Sequence, residues 1–119
     1  MKENIFWVTT AKIKDGELDN LKALMKEMTE STNTNEPGTV NYEWFMDADQ
    51  KYCHLIENFT DSEAAISHLK SFFKEFGKKF MSALEIKSFT VYGDPSGELI
   101  KMLTPMGAVI MNLSEGFRR

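Results

Sequence analysis

The stretch Thr39 to Phe59, TVNYEWFMDADQKYCHLIENF, decides how this chain folds. Two runs rich in β-branched and aromatic residues flank DADQ, a polar interruption of about four residues that reads as a hairpin loop. Closing the loop there makes Thr39 to Met46 one strand and Lys51 to Phe59 the next. Val40 then lies opposite Glu57, Tyr42 opposite Leu55 and Trp44 opposite Cys53, and alternation puts all six on one face. The other face carries Asn41, Glu43, Phe45, Tyr52, His54 and Ile56. The first set is the more apolar and is assigned to the side that helices cover. The second mixes polar and large apolar groups, which suits contact with a partner subunit better than open water.

Working outward, Ile5 to Ile13 (IFWVTTAKI) has the composition of a strand and ends at the turn signal Asp15-Gly16. Leu18, Leu21, Leu24, Met25 and Met28 then recur at helical spacing, and the run STNTNEPG is expected to stop that helix, its small polar residues competing for the backbone and Pro37 disfavouring helix at Glu36 before Gly38 turns the chain. Beyond the hairpin, Thr60 and Glu63 have capping-box spacing, so a second helix is expected to start at Thr60. Phe72, Phe76, Phe80 and Leu84 continue its apolar stripe, with a break expected near Ser71. Glu85 to Tyr92 alternates as a fourth strand, ELIKML forms a short helical turn, and Ala108 to Leu113 forms a fifth, apolar strand.

The order strand, helix, strand, strand, helix, strand predicts a ferredoxin-like α+β fold: a four-stranded antiparallel sheet with helices on one face, plus the extra C-terminal strand. The chain is read as one domain, residues 1–119, with a core of about 5–103 and an extension over 104–119. A sheet face bearing Phe45 and Ile56 is costly to leave wet, so a homodimer is expected to cover it, and the segment 98–113 has the reach to cross that interface.

Composition narrows the function. No apolar run approaches the ~18 residues a membrane span needs, and the opening MKENIFWVTT lacks the apolar core of a signal peptide, so a cytoplasmic location is expected. The single cysteine, Cys53, excludes a multi-cysteine zinc site and reads as a buried apolar residue. A net charge of −4 with scattered lysines argues against a nucleic-acid partner. His54 and His68 fall on different faces, so no metal site is expected, and no glycine-rich phosphate loop is present.

GTVNYEW after a polar helix exit, IENFTDSEAAISHLKS as strand into helix, and VYGDPS closing the fourth strand together resemble the antibiotic biosynthesis monooxygenase family over roughly Ile5 to Leu103. The resemblance implies a dimeric α+β barrel with a small-molecule pocket between sheet and helices. It also implies oxygenation of a small phenolic or quinol-like aromatic by molecular oxygen without a bound cofactor. The haem-degrading branch wants tryptophan where His68 stands and a histidine near Gly77 or Lys78, so haem is not expected.

Such a reaction asks the protein for a base, a dry aromatic cavity and donors to an oxyanion. His68 titrates near neutrality and is the candidate base; the alternative is a polar residue at the helix edge, bonded to backbone or water. Tyr42 and Glu57 are polar tips on an apolar sheet face, either substrate positioners and proton exchangers or partners in a structural hydrogen bond. Trp44, Trp7, Phe72, Phe76 and Phe80 are candidate substrate-binding walls, although an aromatic stripe at helical spacing is more often core. Two other functions fit the same residues: a non-catalytic dimeric ligand-binding or stress-response module, and a small-molecule isomerase using the same acid and base.

Overall fold

The computed structural model describes residues 4–119; residues 1–3, the start of the MKENIFWVTT stretch, lie outside it. The elements run β1 (Ile5–Ile13), α1 (Leu18–Asn35), β2 (Thr39–Met46), β3 (Tyr52–Phe59), α2 (Ser62–Glu75), α3 (Gly77–Ala83), β4 (Leu84–Tyr92), α4 (Gly97–Leu103), a 3-10 turn (Thr104–Met106) and β5 (Val109–Met111). The strands form one sheet in the order β2-β3-β1-β4-β5, with β1 antiparallel to both β3 and β4. This is the expected ferredoxin-like α+β fold. β5 joins the same sheet, parallel to β4, and Asn112 Nδ2 donates to the Gly93 carbonyl at 2.8 Å just beyond it. None of the described helices is long and apolar enough to cross a membrane.

Strand alternation sets the layers. Every second residue of β1, from Ile5 to Ile13, is buried under the helices, as are Cys53, Leu55, Glu57 and Phe59 of β3. Two apolar clusters lie beneath them. One gathers Trp7, Phe59, Ala65, Leu69 and Phe89 with Leu99 and Leu103 of α4. The other gathers Leu21, Leu24 and Met28 of α1 with Leu55, Phe80 and Leu84. Glu57 sits on β3 between Leu55 of the second cluster and Phe59 of the first, so a charged side chain occupies the seam of the core.

The hairpin register differs from the expectation by two residues: Tyr42 faces Glu57, Trp44 faces Leu55 and Met46 faces Cys53. The faces survive, because a shift of two preserves the alternation. The cause is Asp47, whose carboxylate accepts from the amides of Lys51 and Tyr52 at 2.9 and 3.1 Å, while Gln50 takes a positive φ of 55°. The turn therefore closes one residue later than DADQ implies. Val40, next to a register shift between Thr39 and Asn41, is left half exposed rather than opposite Glu57.

The helix α1 runs on through the small polar residues of STNTN to Asn35, with Thr32 buried. As expected, the stop comes at Pro37, with Glu36 out of helical geometry. The cap of α2 is Asp61, not Thr60: its backbone is extended and its carboxylate accepts from the Ala64 amide at 2.9 Å, whereas the Thr60 amide is engaged by the Gly38 carbonyl. The helical break falls at Phe76 rather than near Ser71.

Candidate functional site

His68 lies four residues after Ala64 on the face of α2 that meets the sheet, and only 5% of it is exposed. Both ring nitrogens meet carboxylates. Nδ1 is 2.6 Å from Glu36 Oε1, and Nε2 is 2.5 Å from Glu57 Oε2. The Nε2 approach is an ion-pair contact off the hydrogen-bond line, which leaves Oε2, fully buried, without an aligned donor. The other carboxylate oxygen of Glu57 accepts from Trp7 Nε1 at 2.9 Å. Burial opposes charge on His68, but Glu57 and the hydrogen-bonded Glu36 outweigh it and push the imidazole up to about 10. The two carboxylates thus favour the protonated ring, which donates toward both of them.

Tyr42 closes one side of this cluster. Its ring centroid is 6.3 Å from that of His68, and its hydroxyl accepts from Trp44 Nε1 at 3.3 Å. Burial, then the Glu57 charge, push the phenol far above its ordinary value, so Tyr42 keeps its proton and can donate it. The Phe59 and Trp7 rings pack against His68 at centroid distances of 5.1 and 6.4 Å, sealing the other sides with apolar surface.

A groove of about 500 Å³ runs between α1 and β2, lined by Met25, Thr29, Tyr42 and Trp44 together with Lys22, Lys26 and Glu30. It is open to solvent, and Tyr42 belongs both to its wall and to the surroundings of His68. A second hollow, of about 600 Å³ between α1 and α3, is lined by residues such as Asn20, Glu27 and Lys79 and holds none of the expected site residues.

The structure therefore brings His68, Tyr42, Glu57, Trp7 and Trp44 together. Trp7 is fully buried core that also anchors Glu57. Phe80 is buried, packing edge-on against Phe72 at 5.1 Å and lying 6.0 Å from Trp44, and Phe72 and Phe76 flank the same apolar cluster. These three phenylalanines support the core beneath Trp44. Cys53 is buried, and burial pushes its thiol up to about 11, leaving it unreactive at neutral pH. Glu36 was not foreseen as a site residue. Its only sequence signal is its place before Pro37, in a turn that Gly38 and Thr39 complete.

A sequence model of the antibiotic biosynthesis monooxygenase family matches residues 4–79. No curated protein sequence matches the chain. Among solved structures, that of MupZ from Pseudomonas fluorescens superposes with a TM-score of 0.88 at 21% identity, covering 100% of this chain and 91% of that one. A conserved protein from Methanosarcina mazei Go1 gives 0.66 at 20% identity, over 75% of this chain and 90% of that one. SnoaB, a cofactor-independent oxygenase from Streptomyces nogalater, gives 0.65 at 13% identity, over 78% and 94% respectively. At these identities the likeness is one of fold.

Proposed function

Because this chain belongs to the antibiotic biosynthesis monooxygenase family, we propose that it is an enzyme that takes a proton from a small phenolic or quinol-like aromatic held between α1 and β2, whose anion then reacts with molecular oxygen. The observation that carries this reading is the buried carboxylate, imidazolium and carboxylate cluster of Glu57, His68 and Glu36 set directly behind Tyr42. The acceptor is Glu57 rather than His68, since the imidazolium has no vacant nitrogen. The proton leaves toward Glu57 past Tyr42, which faces it across the β2–β3 pair and lines the groove, and Tyr42 keeps its own proton and donates a hydrogen bond to the substrate oxyanion. The substrate anion then transfers an electron to oxygen, and no protein group changes redox state. His68 supplies the counter-charge that permits a carboxylate in a dry site. Trp44 is the flat wall against which the aromatic ring lies, with Phe72, Phe76 and Phe80 as its backing.

The working form is a cytoplasmic homodimer joined through the open sheet face. Support comes from Phe45 and Tyr52, half exposed there, and from Phe6 stacked on Tyr92 at 4.8 Å on the same side. Light scattering at micromolar concentration should give twice the chain mass; the mass of one chain contradicts the dimer.

A second reading is favoured by the cluster being charge-paired and closely packed: proton transfer without oxygen, as in an isomerase, or ligand binding without turnover. Oxygen uptake with a panel of hydroquinones and anthrones separates them. Uptake by the wild type that His68→Ala and Glu57→Gln both abolish supports the oxygenase. Uptake no higher than the uncatalysed background across the panel rejects it.

A further inference from the structure

We propose that Glu36 is a positioning residue of the site: held in the turn after α1, it clamps the His68 ring from the side away from Glu57 and fixes Nε2 toward Glu57. The turn itself is unusually constrained. The Glu36 amide caps α1 by donating to the Thr32 carbonyl at 3.0 Å, and the Glu36 carbonyl accepts from the Thr39 amide at 3.0 Å. Its side chain accepts twice at Oε1, from Thr39 Oγ1 at 3.0 Å and from His68 Nδ1 at 2.6 Å. Its side chain is only 14% exposed, so these bonds are poorly replaced by water.

The turn docks on one face of α2. Gly38 lies against Ala64 so closely that a Cβ there would stand 2.6 Å from the Ala64 Cβ, and its carbonyl accepts from the Thr60 amide. Ala64 and His68 are one helical turn apart, so Gly38 seats the turn and Glu36 reaches the ring from that seat. The seating is what turns an ordinary helix exit into part of the site. The groups facing His68 are Glu57 from β3, Tyr42 from β2 and Glu36 from the turn, while β1 presents Trp7. With Glu36 removed, Glu57 alone must hold the ring charge against burial.

The kinetic part of this inference rests on Glu57 acting as proton acceptor; the protonation part does not. The test is NMR titration of ¹⁵N-histidine-labelled protein, reading the His68 ring in wild type, Glu36→Gln, Glu36→Asp and Thr39→Val. Wild-type His68 should remain doubly protonated above pH 8.5. Glu36→Gln should weaken its proton affinity by about ten- to a thousand-fold, the range for losing one adjacent opposite charge. Glu36→Asp should restore part of the loss, and Thr39→Val, which keeps the carboxylate but frees it, should show a smaller loss of the same sign. A Glu36→Gln ring that titrates at the wild-type midpoint, or a wild-type ring neutral at pH 7, overturns the proposal. If the ring behaves as expected while no substrate turns over, the reaction assignment fails and the positioning role stands. Where a substrate is found, Glu36→Gln should narrow the pH range of kcat and leave KM within about threefold, because Glu36 does not line the groove.

Discussion

Raising the pH from about 7 to about 8.5 should weaken the fold by about 2 kcal/mol through His68 alone. In the folded chain the ring is raised from 6.5 to about 10. A raised cationic group binds its proton more tightly in the folded state than in the unfolded one. Its stabilisation is therefore complete below about 6.5, falls as pH rises above that, and is gone past about 10. Between those limits the folded ring keeps a proton that the unfolded ring has lost, so stability drops by about 1.4 kcal/mol per pH unit. The window ends near 8.5 because Cys53, pushed up to about 11, adds a loss of the same sign once unfolded thiols ionise. The assay is urea unfolding followed by circular dichroism at constant ionic strength, comparing the wild type with His68→Gln, which cannot titrate. The variant will be less stable at pH 7, since two buried carboxylates lose their counter-charge, so slopes rather than absolute values are compared. The wild type should lose about 2 kcal/mol relative to the variant over the window. Equal slopes would show that His68 is not held as a cation and would remove the basis for assigning Glu57 as the acceptor.

Trp7→Phe deletes the donor to Glu57 Oε1 while largely keeping the ring, and should cost about 1–3 kcal/mol in the same assay, the penalty of a buried polar group left unpaired. Gly38→Ala should cost about 1–3 kcal/mol by overpacking against Ala64, and Ala64→Gly in the same chain should recover part of it, which a double-mutant cycle reads directly. For any substrate found by oxygen uptake, Glu57→Gln should lower kcat by about 10²–10⁴-fold, the usual worth of a positioned proton acceptor. Tyr42→Phe should lower it too while leaving His68 protonated by NMR, because Tyr42 touches the groove and not the ring nitrogens.

The architecture was legible because each element carried its own local signal. Alternation in IFWVTTAKI and helical spacing from Leu18 to Met28 needed no tertiary information, and neither did the faces of the hairpin. What escaped was decided by single side chains acting on backbone. Asp47 moved the hairpin register by taking two amides, and Asp61 displaced Thr60 as helix cap. Thr32, polar by composition, is buried, and α1 stays helical through a run whose residues compete for the backbone. Composition ranks such residues by average behaviour, and the particular amide each one captures is a property of the folded chain.

The candidate site divides along the same line. His68, Tyr42 and Glu57 were visible because each is a polar group at a position whose periodicity demands burial, and a buried polar group must find a partner. Glu36 breaks that pattern. It follows the last residue of α1 and belongs to no stripe, so nothing in its own periodicity marks it as buried. Its burial follows from two neighbours, Pro37 ending the helix and Gly38 allowing contact with Ala64. The consequence is chemical as well as structural. A histidine facing one carboxylate can serve as a base whose partner orients it, whereas one held between two is a fixed cation. In the proposed reaction, Glu36 therefore moves the acceptor role from His68 to Glu57. On that proposal, a turn that reads as a mere helix exit bears on which residue accepts the proton.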